Sequence, residues 1–498
     1  MTENIIYPSI DLFVYQLATG LGDDQKKIQA NQAAFKNNFS LCNAEDIEKL
    51  EDAINQTDRK SSNRVVTPFL TPKHIPLREK EKSEANGEPV DGYYYPVSLL
   101  EESYGLLFAV SVEAVSVEAA DKIKPQPVSC FQNNLKPLLA NKNGNLGKTC
   151  ILYGYLPPGE DAAQVATNIY KEFMGIEPPP SWQWQQQYQG NPAQGKPNQG
   201  KFLGGEIFAA WEPPRNWESL PEYRGLYIIL YPNPEPNLQV LHAAAKLYDI
   251  WLQLFWFQNK IIWAYDNTRQ LKRKLEGDFL AIRETFTKIQ EIDTKDGNLD
   301  LGSLQELVKE KSKTIASYAA NLSLMEIQRQ TLEINLHNWK ICRSQLQAEA
   351  KKLGEEQKLG ETDLSFFDTF TEVVENEYLQ QVQKDAEIFK PGLQALENLI
   401  NPLSSIVELT QAERDRHLEK LIAAVGIGVG SAGTVASGSA SSIEKLTEPI
   451  FTQTQYPVIV KPLYNAVFVV LLSYIVGRIA GYLVWRTWGM SSKKRTST

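Results

Sequence analysis

Cysteine, histidine and methionine are scarce, with four of each in 498 residues. Cys42, Cys130, Cys150 and Cys342 stand far apart, which excludes a disulfide scaffold and a C-x-x-C zinc site and suits a reducing cytosol. His74, His242, His337 and His417 leave little material for a metal centre, so no metal ligand and no cofactor-binding residue is assigned. Positive charge is also short: 51 Lys and Arg stand against 60 Asp and Glu, a net charge of −9. A nucleic-acid binder that neutralises phosphates is usually basic, so no nucleic-acid partner is expected. The start, Met1-Thr-Glu-Asn-Ile, lacks a basic stretch leading into an apolar run, and no secretory signal is expected. What the chain does have is apolar and aromatic material, 42% and 10% of its residues. That is too much for a disordered protein and enough for about two to four folded units.

Motifs for catalysis fail on inspection. Lys142–Thr149, KNGNLGKT, has Lys where a phosphate-binding loop needs its first Gly, and Thr149 opens an apolar strand-like run rather than a helix. Asp293–Ser303 lacks the spaced carboxylates of a calcium loop. Gly430-Ser431-Ala432-Gly433 is preceded by Val429 where a nucleophile elbow requires Gly. His242 and Lys246 share a helix face without a nucleophile nearby, and a buried, satisfied histidine is expected. No catalytic residue is assigned and no enzymatic activity is expected.

The C-terminal part reads as a membrane hairpin. Leu463–Trp485 is an apolar run with Arg478 as its one charge, and as a helix it spans about 34 Å, enough for a hydrocarbon core of about 30 Å. Residues 421–442 are apolar but light. Gly426 and Gly430 form a G-x-x-x-G pair, and Ala436 continues the row of small residues at every fourth position, which suits close helix packing in lipid. A flexible Gly/Ser linker is the alternative for that stretch. Lys and Arg concentrate before the first segment and after the second, so both ends are expected on the cytoplasmic side of the cell inner membrane, with a basic tail at 486–498. Arg478 either faces a pore or partner helix, or snorkels to the headgroups.

Between 236 and 420 the sequence predicts a long-helix coiled-coil stalk. Prolines 232, 234 and 236 mark its entry. The first helix is heavy in Trp251, Phe255 and Trp256, which read as packing on the N-terminal domain or as a partner surface. From Ser303 to Leu353 apolar residues recur at spacings of three and four, the pattern of a coiled coil, and the short turn at 296–300 predicts antiparallel return. A break is expected at Gly354–Thr362, and Lys390-Pro391-Gly392 and Pro402 are expected to interrupt the next helix. Residues 1–235 alternate strand and helix patterns around a low-complexity loop at 177–200. Strands are expected at Ile10–Leu17, Leu106–Val112, Thr149–Leu156, Glu206–Trp211 and Leu226–Tyr231, and helices at Gln25–Phe39, Asp46–Ile54 and Asp161–Phe173. The expected fold class is therefore α+β, a mixed α/β N-terminal domain followed by long antiparallel helices and a C-terminal transmembrane hairpin at 421–442 and 463–485.

Two resemblances bear on function. The layout is similar to the CorA-type magnesium channels, although their Gly-Met-Asn triplet is missing between the two apolar segments. Gly205-Glu206-Ile207-Phe208 with Trp211-Glu212, the run Leu226–Tyr231, and Leu241–Tyr248 resemble the CATRA proteins, caspase- and TPR-repeat-associated components of bacterial conflict systems. That resemblance implies a caspase-like peptidase or a TPR-containing protein as partner, a role in defence, and no catalytic residues. The resulting expectation is a non-enzymatic, homo-oligomeric component that binds a partner and acts at the lipid bilayer, with an oligomeric pore as one outcome. A constitutive CorA-like cation channel and a passive membrane tether are the alternatives.

Overall fold

In a computed structural model, the described residues are 4–20, 23–39, 42–55, 65–77, 90–112, 125–178, 198–211, 217, 220–232, 239–294 and 301–409. In chain order they form β1 (Asn4–Leu17), α1 (Gln25–Lys36), α2 (Ala44–Asn55), β2 (Val66–Pro68), β3 (Ile75–Pro76), β4 (Val90–Leu99), β5 (Ser103–Val112), β6 (Gln126–Pro127) and β7 (Gly147–Leu156). There follow α3 (Ala162–Met174), β8 (Gln199–Phe202), β9 (Gly205–Ala209), β10 (Gly225–Pro232), α4 (Gln239–Ala245), α5 (Tyr248–Thr294), α6 (Leu301–Gln357), α7 (Asp368–Val373) and α8 (Gln380–Leu409). Two compact units divide the chain: Met1–Trp263 with Asn335–Glu377, and Ala264–Ile334 with Tyr378–Thr498. This partition cuts across the boundary expected at 235/236.

The first unit is built on one sheet of ten strands, ordered β2-β4-β5-β1-β7-β10-β9-β8, with β3 on β4 and β6 on β1. All the pairings are antiparallel except β7 with β10. Alternation along β1 shows why two helical layers are needed. Ile10, Leu12 and Val14 point into a core with Phe35, Leu50, Val165, Ile169 and Phe173 from α1, α2 and α3. Phe13 and Tyr15 point the other way. The Phe13 ring lies 5.1 Å from Phe255, and the Tyr15 hydroxyl donates to the Leu252 carbonyl at 2.9 Å, both on α5. Local chemistry sets the helix ends. Asp161 accepts from the Gln164 N–H at 2.8 Å to start α3, and Gly175, at φ 72°, stops it.

The expected fold class is corrected on two counts. The sheet is not an α+β domain standing before a separate stalk, because the start of α5 covers its second face, and residues 335–377 belong to the same unit. Nor does the membrane hairpin find support. Among the described residues no helix is long and apolar enough to cross a membrane. The stretches assigned to the hairpin, 421–442 and 463–485, lie outside the described residues, as does the tail at 486–498.

β4 has no counterpart in the sequence expectation, and it carries Gly92 and Pro96 within its length. Pro96 is tolerated for a local reason. Its carbonyl accepts from the Phe69 N–H at 3.1 Å, on the side where β2 pairs with Val97–Leu99 and β3 with Tyr93 and Tyr94. The missing N–H therefore falls in the gap between two short neighbours.

The described part of the second unit is helical: α5 from 264 on, α6 as far as 334, and α8. Asp278 on α5 accepts from Ser317 Oγ at 2.9 Å and Asn321 Nδ2 at 3.3 Å on α6, which the short connection between the two helices makes antiparallel. Asp385 on α8 is 1% exposed and lies 2.6 Å from Arg269 and 3.2 Å from Lys272. Of the expected seam, Ile315, Tyr318, Leu322, Met325 and Leu332 are buried here. The interruption expected at Lys390-Pro391-Gly392 does not occur, since α8 runs through it and through Pro402. Gly392 serves close approach instead: a Cβ there would sit 2.5 Å from the Tyr318 hydroxyl, which donates to the Phe389 carbonyl at 2.6 Å.

Candidate functional site

The first unit holds a cavity of about 330 Å³ lined by Asn198, Ala209, Trp211, Tyr227, Gln258, Phe366, Phe367, Thr369, Phe370 and Val373. Each wall has its own structural cause. Ala209 and Tyr227 are paired across β9 and β10 and form the floor. Gln258 comes from the buried face of α5, and its side-chain oxygen accepts from the Tyr227 hydroxyl at 3.2 Å. The opposite wall, 366–373, follows the turn that ends α6.

Backbone pairing to the sheet edge holds that turn in place. Lys201 and Asp363 exchange two N–H to carbonyl bonds at 2.8 Å, and the Gly204 N–H donates to the Glu361 carbonyl at 2.9 Å. Two glycines make this approach possible. A Cβ on Gly204, at φ 82°, would sit 2.2 Å from the Leu359 carbonyl oxygen, and one on Gly360, at φ 102°, would sit 2.8 Å from Gly204 Cα. Gln347 on α6 clamps the next residues, donating to the Thr362 carbonyl at 2.8 Å and accepting from the Leu364 N–H at 2.7 Å. Arg343 then forks onto the Asp368 carboxylate at the start of α7.

Aromatic residues make up half of the lining. Tyr227 stands 5.6 Å from Phe367, and Trp211 stands 5.8 Å from Phe370, both edge to face. Trp339 backs this wall, 5.3 Å from Phe367 and 4.9 Å from Phe370. The polar groups of the lining are few and uncharged: the Asn198 and Gln258 amides, the Thr369 and Tyr227 hydroxyls and the Trp211 indole. Burial pushes the Tyr227 phenol above its ordinary value, so it stays neutral. The Trp211 Nε1–H is buried and has no acceptor among the described residues. A buried donor without a partner costs about 1–3 kcal/mol unless something else supplies an acceptor. A concave, aromatic, uncharged site with a few fixed polar groups is suited to binding rather than to proton or group transfer.

Elsewhere in the same unit a carboxylate, Asp11 on β1, is buried against the sheet. Tyr153 Oη donates to its Oδ1 at 3.4 Å. Burial raises Asp11 to about 7, while hydrogen bonds from Tyr248 and Tyr153 oppose the rise. Lys142 is also buried, its Nζ 3.2 Å from the Tyr94 hydroxyl and 4.8 Å from the centre of the Phe108 ring. Thr149 lies in β7, so Lys142–Thr149 leads into a strand, as its composition indicates. Among the described residues no cluster of His, Cys, Asp and Glu could hold a metal ion.

The residues singled out from sequence are not brought to this cavity. Trp251, Phe255 and Trp256 are 2%, 0% and 1% exposed, packed inside the first unit rather than presented to a partner. Trp251 stacks on Phe255 at 5.1 Å, and Phe255 stacks on Tyr227 at 5.2 Å. Gly426, Gly430, Ala436 and Arg478 lie outside the described residues. His242 is exposed rather than buried. Sequence reasoning did not assemble the cleft, although its parts carried signals. Phe366, Phe367 and Phe370 stand out as an aromatic cluster, and Trp211 and Tyr227 fall in or beside the stretches that resemble the CATRA pattern. No family model, no curated protein and no solved structure matches the chain.

Proposed function

We propose that the chain is a non-catalytic recognition component, of the kind its resemblance to the CATRA proteins implies, and that the aromatic cleft is its recognition site. The observation that carries this reading is a cavity of about 330 Å³ whose lining is half aromatic and wholly uncharged. That volume falls at the lower end of the range of about 300–1,000 Å³ for small-molecule sites. The cleft wall at 366–373 leads along the chain into residues 374–409, so an occupant that orders this wall acts on the segment joining the first unit to α8. A caspase-like peptidase or a TPR-containing protein is the partner class to which such a component would report.

A fragment screen by ligand-observed NMR on the full chain tests the reading, with Thr369→Trp as the site control. Thr369 is exposed at the edge of the cleft, so a larger side chain there blocks entry while sparing the core. Fragments that bind the native chain and lose binding in Thr369→Trp are the expected result. A screen whose hits ignore that substitution removes the cleft as the recognition site.

A further inference from the structure

We propose that Asp11 is a proton-linked latch on the corner between α4 and α5. With its carboxyl protonated the corner stays on the sheet, and ionisation of that carboxyl releases it. The latch is independent of the aromatic cleft.

The groups around Asp11 carry this reading. Asp11 lies on the face of β1 that α5 covers, and it is 3% exposed. Tyrosines face it from four other elements: Tyr93 on β4, Tyr153 on β7, Tyr231 on β10 and Tyr248 at the start of α5. Burial holds these phenols and the neighbouring Cys150 thiol above their ordinary values, so they stay neutral. Tyr7 stands beyond Tyr153, with its hydroxyl 3.5 Å from Ser111 Oγ. Among the described residues no Lys, Arg or His supplies Asp11 with a counter-charge. An ionised carboxyl there is dehydrated and unpaired, which favours the neutral form. Tyr248 and Tyr153 donate to it, but burial outweighs both bonds.

Of the groups facing Asp11, Tyr248 alone sits on a helix, and it also hydrogen bonds Tyr153 and Tyr93. The next residue is tied the other way, since Tyr95 Oη on β4 donates to Asp249 Oδ1 at 2.9 Å. The corner itself is jointed. The Lys246 and Leu247 N–H groups donate to carbonyls three residues back, at 3.1 and 2.9 Å, and this turn separates α4 from α5. Residues 239–249 bury only Val240, Ala243 and Leu247, while His242, Lys246 and Asp249 are exposed. So little apolar contact makes opening here cheaper than unfolding the sheet. Lifting Tyr248 lets water reach an ionised Asp11. One other titrating group stands at the rim: the His74 ring is 4.6 Å from Tyr93 and 5.0 Å from Tyr95. Burial and then Lys73 lower its pKa, and Asp249 opposes them.

The test is hydrogen exchange on the full chain at pH 5.5 and pH 8.5, corrected for intrinsic rates, at the Lys246, Leu247 and Ile250 amides. Opening there is expected to rise on the order of thirtyfold across that range, for a carboxyl that titrates at about 7 in the closed corner and at 3.8 in the open one. Asp11→Asn, which cannot ionise, is expected to abolish the rise, and His74→Gln to preserve it. Tyr248→Phe takes a donor from the carboxylate, so the rise is expected to level off at a higher pH than in the native chain. A rise that survives in Asp11→Asn, or vanishes in His74→Gln, would assign the sensing to another group and overturn the proposal. Equal opening at both pH values would overturn it as well. Corner amides that exchange only in step with those of β1 and β7 would tie the proton to global unfolding and exclude a latch.

Discussion

The Tyr153 hydroxyl donates to Asp11 Oδ1 across 3.4 Å, from β7 to the neighbouring strand β1, where the carboxyl is sealed from solvent. Burial lifts Asp11 from 3.8 to about 7. Between those two values the native state keeps a proton that the unfolded chain has released. Stability therefore falls as pH rises from about 4 to about 7 and levels off above that. The contribution is on the order of 4 kcal/mol, since each pKa unit is worth about 1.4 kcal/mol. Asp11→Asn keeps the shape and cannot ionise. It is expected to raise the urea midpoint at pH 8 and to give a much smaller gain at pH 4.5. A gain independent of pH would exclude Asp11 ionisation as its source.

Gly204 and Gly360 set the position of the cleft wall. Gly204→Ala puts a methyl 2.2 Å from the Leu359 carbonyl oxygen, at a left-handed backbone angle. The clash costs about 1–3 kcal/mol and the conformation about 1–2 kcal/mol more. Chemical denaturation should show this loss, and hydrogen exchange should rise at Lys201, Gly204 and Asp363, whose N–H groups make the pairing. Protection that stays native at those amides would show that the edge pairing tolerates the methyl.

Asp385 holds two cations on α5 from a site that is 1% exposed, while Arg269 is 12% exposed. Asp385→Ala leaves the guanidinium almost buried with its partner removed, a change expected to cost about 3–5 kcal/mol. Replacing the more buried pair by apolar residues of similar volume, with Arg269→Met and Asp385→Leu together, is expected to recover most of that loss, since Lys272 is 33% exposed and keeps its water. Thermal unfolding of the single and double variants measures both effects. A double variant no more stable than the single one would show that packing, rather than the unpaired charge, carries the cost.

At Gly392 a Cβ would fall 2.5 Å from the Tyr318 hydroxyl and 3.1 Å from the Phe279 ring. Gly392→Ala is favoured by helix propensity by about 1 kcal/mol, so an exposed helical glycine would gain stability on substitution. Here the contact is expected to reverse the sign and give a net loss of about 1–2 kcal/mol. Tyr318→Phe together with Gly392→Ala removes the clashing oxygen and is expected to restore part of it. A plain gain in Gly392→Ala would show that Tyr318 moves aside freely.

Local patterns in the chain were informative where one element's chemistry decides its own shape. The runs around Leu106–Val112, Thr149–Leu156 and Leu226–Tyr231 are strands, and α1, α2 and α3 lie within a few residues of their expected places. Asp161 before α3 and Gly175 after it act through bonds that lie within a single turn. Pro391 was expected to interrupt its helix, yet α8 continues through it. At Pro96 the need for a backbone hydrogen bond is set by neighbours distant in sequence, since it falls in the gap between β2 and β3.

The cleft shows the same division more sharply. Composition by itself determined that Trp211, Tyr227, Phe366, Phe367 and Phe370 would seek burial, because water expels ring surface wherever it lies in the chain. It did not determine that the Trp211 and Phe370 rings would meet edge to face, 5.8 Å between centres, beside the cavity. That required the turn after α6 to pair with the edge of the sheet, and two glycines to let backbone meet backbone. Trp251, Phe255 and Trp256 make the converse case. Their helical stripe was plain in the sequence, but a stripe fits a core and a partner surface equally well. Only the second face of the sheet, seen in three dimensions, accounts for their burial. Periodicity records what an element must hide, whereas the complementary surface that hides it comes from residues far away in the chain, and tertiary structure alone brings the two together.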